Sequence, residues 1–291
     1  MAFQDKYKKI SAKLFNKTVE KHLDSFRRIH EDLKMSNMGI MLREYLSMCF
    51  FTALLTAVVS FPVSLLIFML LGQAPIFAFL LTLIATAGAT TGAFMISLQY
   101  PAIKKAQRKK NIDSNLPFAT LYMNTISGTG APVDTMFRVL SEFEEYGEVS
   151  KEAQEIVEDI DVLGQDLEDA LKRSAEHSPS ENYRDLLWGM VTTIVRGGDL
   201  KSLLQDQAEY FMARYRRKLE QYADDLSMYV EIYITLVIVG SIFSLVMLTI
   251  MGAISGFADL KFLQQFIVFV FLPMTSLGFL LLLKLTSPFT S

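Results

Sequence analysis

The chain is poor in the residues that do most protein chemistry: one Cys, three His and one Trp among 291 residues. A single cysteine excludes a disulfide framework within the chain. Cys49 lies at the mouth of an apolar run, where it reads as a small apolar residue. His22, His30 and His177 stand far apart with no cysteine beside them, which argues against a zinc site or a nucleophile triad. The glycines do not form a phosphate loop, because Gly128-Thr129-Gly130 is followed by Ala131-Pro132 and no Gly-Lys-Ser/Thr. Asp159-Ile160-Asp161 lacks the turn glycine and terminal glutamate of a calcium loop. No catalytic constellation, metal site or cofactor site is therefore expected, and the chain is not read as an enzyme.

The absence that organises the chain is one of charge. No Asp, Glu, Lys or Arg occurs from Tyr45 to Ile103, from Ile232 to Ala258, or from Phe262 to Leu283. A helical span of a bilayer needs roughly 20 apolar residues. The first block holds two spans, about 45–71 and 76–98, if it turns at Gly72-Gln73-Ala74-Pro75, and each later run holds one, about 232–256 and 262–283. Pro62 is a kink site in the first span. Gly88/Gly92 and Gly252/Gly256 are small residues four apart, a spacing that lets helices approach closely, more often within one chain than between copies. No ionisable side chain lies inside a span, which weakens a transporter or proton-relay reading.

What is present is charge in two other places. Residues 1–44 form a basic arm with ten Lys/Arg against six acids. Apolar residues from Ile10 to Leu33 recur at helical spacing, so the arm is expected to be amphipathic helix on the membrane surface or against a soluble domain. About 44 residues precede the first apolar run, so no signal peptide is expected. The glycosylation pattern Asn16-Lys17-Thr18 is discarded, because the topology keeps it inside. Lys104, Lys105, Arg108, Lys109 and Lys110 follow the second span, and Arg214, Arg216, Arg217 and Lys218 precede the third. The inter-span turns carry only Lys261. This asymmetry of positive charge puts both termini and residues 104–231 in the cytoplasm, with the remaining 232–291 forming the second hairpin. The basic flanks face membrane lipid and lack the interleaved aromatics of a nucleic-acid site, Tyr215 apart.

Residues 104–231 read as a bundle of five or six antiparallel helices, which makes the whole an all-α polytopic membrane protein. Asp134–Tyr146 places Met136, Phe137, Leu140 and Phe143 on one face. Ile156, Ile160, Leu163, Leu167 and Leu171 advance as one stripe. Ser178-Pro179-Ser180-Glu181 reads as a helix start with Ser178 as the cap, the helix ends at Arg196 before Gly197-Gly198, and Asp199 caps the next. Tyr183 and Trp188 are the expected core aromatics. From Ser141 to Asp169 there are twelve acids and one base, Lys151. Glu144, Glu145, Glu148, Glu155 and Glu158 are the acids expected to point outward, either as a solubilising face or as a contact for a basic partner.

Four stretches follow one another in an order that resembles a known domain: Leu116-Pro117, Gly128 to Phe137, Leu163 to Leu171, and Arg196 to Leu204. The resemblance is to the F domain of type II secretion, found in platform proteins of secretion systems, type IV and tight-adherence pili, and archaeal flagella. It implies a cytoplasmic helical bundle without enzymatic activity of its own. It also implies partners: a hexameric secretion or assembly ATPase, pilin-like subunits, and a second copy or a similar platform subunit as dimer. Gly128, Gly130, Gly164, Gly197 and Gly198 then serve as structural turns. Larger members carry two such domains and this chain has one. The alternative is a small channel or transporter subunit, which would need polar groups inside the spans.

Overall fold

The computed structural model describes residues 26–72, 75–255 and 259–286, and every regular element among them is helical. The part of the basic arm before residue 26 and the turn residues 73–74 and 256–258 lie outside the described residues. The chain falls into two compact units, residues 1–205 and 206–291.

The first unit opens with α1 (Arg27–Met35), α2 (Leu42–Leu70) and α3 (Pro75–Ser127). At 1.5 Å per residue α2 is about 44 Å long and α3 about 80 Å, against roughly 30 Å for a hydrocarbon core. α2 therefore has about two to three turns to spare, while α3 has enough length to cross and continue far beyond. The two pack through small and hydroxylated positions of α3, with Ala78, Thr82 and Thr86 buried. The Thr82, Thr86 and Thr90 hydroxyls donate back to carbonyls of their own helix, so these three are satisfied in an apolar setting, whereas the Ser60 hydroxyl of α2 is buried without a hydrogen-bond partner among the described residues. Phe50 packs on Phe94 with ring centroids 5.2 Å apart. Tyr45 donates its hydroxyl to the Ser97 carbonyl, and Tyr45, Cys49 and Leu33 of α1 form a small core at the end of the hairpin. The outer faces are apolar and open, with Leu70 79% and Ile76 75% exposed. On a water-soluble protein so large a bare apolar surface would aggregate, and here it is the surface offered to lipid.

Helix α3 does not stop near residue 98, where the sequence suggested the second span would end. It runs through Pro101 and Pro117 to Ser127. The run of Lys, Gln, Arg and Ala beyond Ile103 favours helix, and no glycine interrupts it before Gly128. Among the described residues Gly88 and Gly92 are not packing points, because a Cβ at either would meet nothing within 4 Å. The α2 contact uses the Ala78–Thr82–Thr86 face instead.

Four further helices complete the unit: α4 (Val133–Glu142), α5 (Glu148–Asp161), α6 (Leu167–His177) and α7 (Glu181–Arg196). A 3-10 turn, Glu144–Tyr146, separates α4 from α5. Their core consists of Phe137 and Leu140, Val149, Ala153 and Ile156, Leu171 and Ala175, and Tyr183, Leu186, Leu187 and Met190, with Ile112, Leu116 and Met123 of α3.

The structure corrects several sequence expectations. Trp188 lies on the outer face of α7 and is 42% exposed, whereas Tyr183 is fully buried. Phe143 follows the end of α4 in extended backbone and is partly exposed, so it does not continue the Phe137–Leu140 face. The Ile156-to-Leu171 stripe is not one helix. It breaks at Val162–Asp166, where Gly164 takes φ +63° and Leu163 becomes solvent-exposed. The start of α7 shifts by two residues: Ser180, not Ser178, is the cap, and its hydroxyl accepts from the Tyr183 N–H at 3.2 Å.

The second unit carries most of α8 (Leu200–Ile232), a π-helical segment (Tyr233–Val239), α9 (Gly240–Ser255), α10 (Asp259–Phe266), a second π segment (Ile267–Phe271) and α11 (Leu272–Thr286). The two membrane strokes meet where Tyr233 stacks on Phe279 at 4.5 Å and its hydroxyl pairs with Ser276 at 2.9 Å. Four helices among the described residues are long and apolar enough to cross a membrane. The protein is an all-α, multi-pass membrane protein.

Candidate functional site

The acid-rich segment from Ser141 to Asp169 is where the sequence concentrates its charge, and the fold divides it in two. At the corner between α4 and α5, Glu142, Glu144 and Glu145 are exposed and have no ion pair among the described residues. The corner rests on an aromatic trio, with Tyr122 on Phe143 at 5.2 Å and Phe143 on Tyr146 at 6.2 Å. It is held by Gly147, whose φ of +58° starts α5. The Glu148 N–H there donates to Asn111 Oδ1 of α3 at 2.8 Å. A Cβ on Gly147 would lie 2.5 Å from that same oxygen. Gly147 was missed in the sequence because it belongs to no recurring motif; a glycine between an acidic turn and an amphipathic run was the available signal.

At the start of α5 acids turn inward instead, while Glu158 and Asp161 further on stay exposed. Arg108 of α3 is buried, and its guanidinium gathers three carboxylates. Nε bonds Glu148 Oε2 at 3.0 Å, Nη2 lies 3.0 Å from Glu152 Oε1, and Glu155 Oε1 stands at 3.8 Å. Nη1 donates to the Met35 carbonyl at the end of α1 at 3.1 Å. Glu152 is wholly buried, and its other oxygen accepts from Ser174 of α6 at 3.0 Å. Burial, helped by Glu155 and Glu148 and opposed by Arg108 and Ser174, pushes its carboxyl up to about 7. Glu148 goes the other way: burial opposes its charge, but Lys151 and Arg108 outweigh it and hold the carboxyl below the usual range. Further along, Asp159 meets Arg173 at 3.1 Å and Asp161 meets Arg138 at 2.6 Å.

Of the five acids expected to face outward, Glu144, Glu145 and Glu158 are exposed, with no ion pair among the described residues. Glu148 and Glu155 are engaged by Arg108, with Asn37 also donating to Glu155, and Glu158 accepts from Gln154. The basic flank after the second span is likewise used inside the fold. Lys105 pairs with Asp32 at 2.9 Å, Lys109 lies 3.4 Å from Glu181, and Lys110 is also engaged. Arg214, Arg216, Arg217 and Lys218 are exposed on α8, and Lys110 is exposed on α3, where Lys104 is half-buried. Among the glycines, Gly130, Gly164 and Gly197 have φ of +77°, +63° and +67°. Gly128 and Gly198 do not, and each is tight for another reason: a Cβ would come within 3.2 Å of the Thr125 carbonyl or the Thr193 methyl.

Part of the chain is similar to known proteins. Residues 119–248 match the family described as type II secretion system (T2SS), protein F. Over that stretch the chain is similar to a protein F domain. The match starts within α3 and ends in α9, so it includes α4 to α8. An uncharacterized protein of Methanocaldococcus jannaschii is 29% identical over 140 residues, which is 48% of this chain and 24% of that protein. Flagella accessory protein J of the same archaeon is 27% identical over 202 residues, 69% of this chain and 34% of that protein. The chain thus spans about a quarter to a third of the length of these relatives. No solved structure matches.

Proposed function

We propose that this chain is the membrane platform of a type IV filament or type II secretion machine, coupling a cytoplasmic hexameric ATPase to extraction and assembly of pilin-like subunits. The similarity to a protein F domain and the likeness to an archaeal flagella accessory protein support a platform-type role. The observation that carries the coupling is α3. One uninterrupted helix of 53 residues begins in the membrane hairpin and ends in the domain core, packed by Ile112, Leu116 and Met123. A continuous helix is stiff enough to carry displacement of the domain into the hairpin, whereas a loop of that length would absorb it. Both termini and the helical domain sit in the cytoplasm, the platform works as a dimer with itself or a similar subunit, and it performs no catalysis of its own.

The test is to break the rod. A four-residue Gly-Ser insertion between Ala102 and Ile103 leaves the domain, the hub and the span intact but uncouples them. Filament assembly or secretion is expected to be lost, with membrane insertion and ATPase co-purification retained. Normal assembly from the inserted variant would contradict the coupling. Topology is tested by labelling in intact cells on a Cys49→Ser background: Asp259→Cys is expected to react and Asp166→Cys to be spared.

A further inference from the structure

The Arg108 hub ties together parts of the chain that a merely structural ion pair would not need to join. Its guanidinium sits on α3 beyond the membrane stretch, its carboxylates come from α5, and its remaining N–H holds the last carbonyl of α1. The chain then passes through Asn37, a non-glycine at φ +50°, and Gly39 at φ +59° before starting α2. Asn37 donates its amide to Glu155, one of the same three carboxylates. The junction leading into the first membrane helix is thus fastened at two points, to Arg108 of α3 through the Met35 carbonyl and to Glu155 of α5 through Asn37, and Glu155 is itself one of the acids around that buried cation.

We propose that Arg108, Glu148, Glu152 and Glu155 form a proton-sensitive latch that clamps the α1–α2 junction onto α5, and that a proton added at Glu152 loosens it. With Glu152 ionised, the guanidinium is held deep between α3 and α5, where Nη1 reaches the Met35 carbonyl. With Glu152 neutral, the inward pull disappears. Glu148 and Glu155, nearer to solvent, then draw the guanidinium outward and away from Met35. The groups facing Glu152 are known from each packed element. Arg108 comes from α3, Glu148 and Glu155 from α5, Ser174 from α6, and from α7 the Tyr183 hydroxyl, which is buried without a hydrogen-bond partner among the described residues. Glu152 Oε1 faces Nη2 at 3.0 Å yet lies off the hydrogen-bonding direction, so it is the least well held of the hub's atoms. Lys34, Arg173 and His177 line the adjoining cavity of about 290 Å³ with Arg108 and Glu155. Burial places the Glu152 carboxyl near 7, so the latch responds within the range of cytoplasmic pH. The latch lies wholly within this chain and operates whether or not an ATPase is the partner.

The experiment uses the full chain in nanodiscs, with Cys49→Ser and spin labels at Met41→Cys and Val162→Cys. Both positions are well exposed, at 75% and 77%. Pulsed electron-electron distances are recorded from pH 5.5 to 8.5, with circular dichroism as the check on folding. One narrow distance is expected at pH 8.5, and a broad or longer component that grows with a midpoint near pH 7. Glu152→Gln should show the broad distribution at every pH, and His177→Asn should keep the parent's transition. A parent distribution that does not change with pH overturns the latch. So does a Glu152→Gln variant that stays narrow or titrates like the parent, or a transition lost in His177→Asn.

Discussion

Two regions of one acidic segment carry the same charge and have different fates. The corner from Glu142 to Glu145 leaves its carboxylates in solvent, on an aromatic base and without ion pairs among the described residues. The helix that follows, Glu148 to Asp161, spends its carboxylates on Arg108, Lys151 and Arg138, and through Asp159 on Arg173. Local charge density does not distinguish a docking face from a structural network. What distinguishes them is whether the fold delivers cations from distant parts of the chain, as α3 delivers Arg108 from forty residues before Glu148.

The comparison breaks most sharply at Arg108. Removing one partner of a buried ion pair costs about 3–5 kcal/mol, because the other charge is left uncompensated. Arg108→Ala is expected to lose stability of that order at pH 8 and less at pH 6, where Glu152 takes up a proton instead. Thermal unfolding in detergent at both pH values measures this. The sign for the intact protein follows from the raised carboxyl. The folded state binds the extra proton, so the Glu152 contribution falls as pH rises from its ordinary 4.5 to about 7, and Glu152→Gln removes that decline.

Gly147→Ala comes next, at about 1–3 kcal/mol. It combines a left-handed backbone with a Cβ 2.5 Å from Asn111 Oδ1. Gly197→Ala at the left-handed end of α7 meets open space and is expected to cost only the backbone term, about 1 kcal/mol. The same unfolding assay ranks the two, and equal losses would mean that the Asn111 contact is relieved by a shift. The smallest effect on stability belongs to the corner. Reversing Glu144 and Glu145 to Lys breaks no ion pair and should change stability by less than about 0.5 kcal/mol.

The four spans were legible because a charge-free apolar run of roughly 20 residues is long enough to cross a bilayer and too apolar to face water. Of the five glycines singled out by motif, Gly130, Gly164 and Gly197 take positive φ. Asp199 also caps α8 as its spacing suggested, accepting from the Lys201 N–H at 3.0 Å. The hub was not legible. Arg108 read as one more lysine-like flank to the membrane, and nothing local reveals that a charge will be buried by a helix forty residues on. Trp188 was misplaced for a related reason: Asp185, Trp188 and Val195 share the outer face of α7, and a large aromatic was read as core without asking which side its neighbours took. The α5–α6 break at Gly164 was hidden because hydrophobic spacing stays in phase across it, and periodicity alone does not register a turn.

We propose that the exposed α4–α5 corner meets a basic surface of the assembly ATPase, while the acids around Arg108 hold the domain together. This contact is tested most directly by binding of the cognate assembly ATPase to nanodisc-embedded chain, comparing the parent with Glu144→Lys/Glu145→Lys at 50 and 300 mM salt. The parent is expected to bind at least tenfold more weakly at high salt, since exposed charges are screened beyond about 10 Å at 0.1 M. The double reversal should abolish binding at 50 mM while its melting temperature stays that of the parent. A reversed variant that binds like the parent at low salt would contradict the account and leave the corner as a solubilising face.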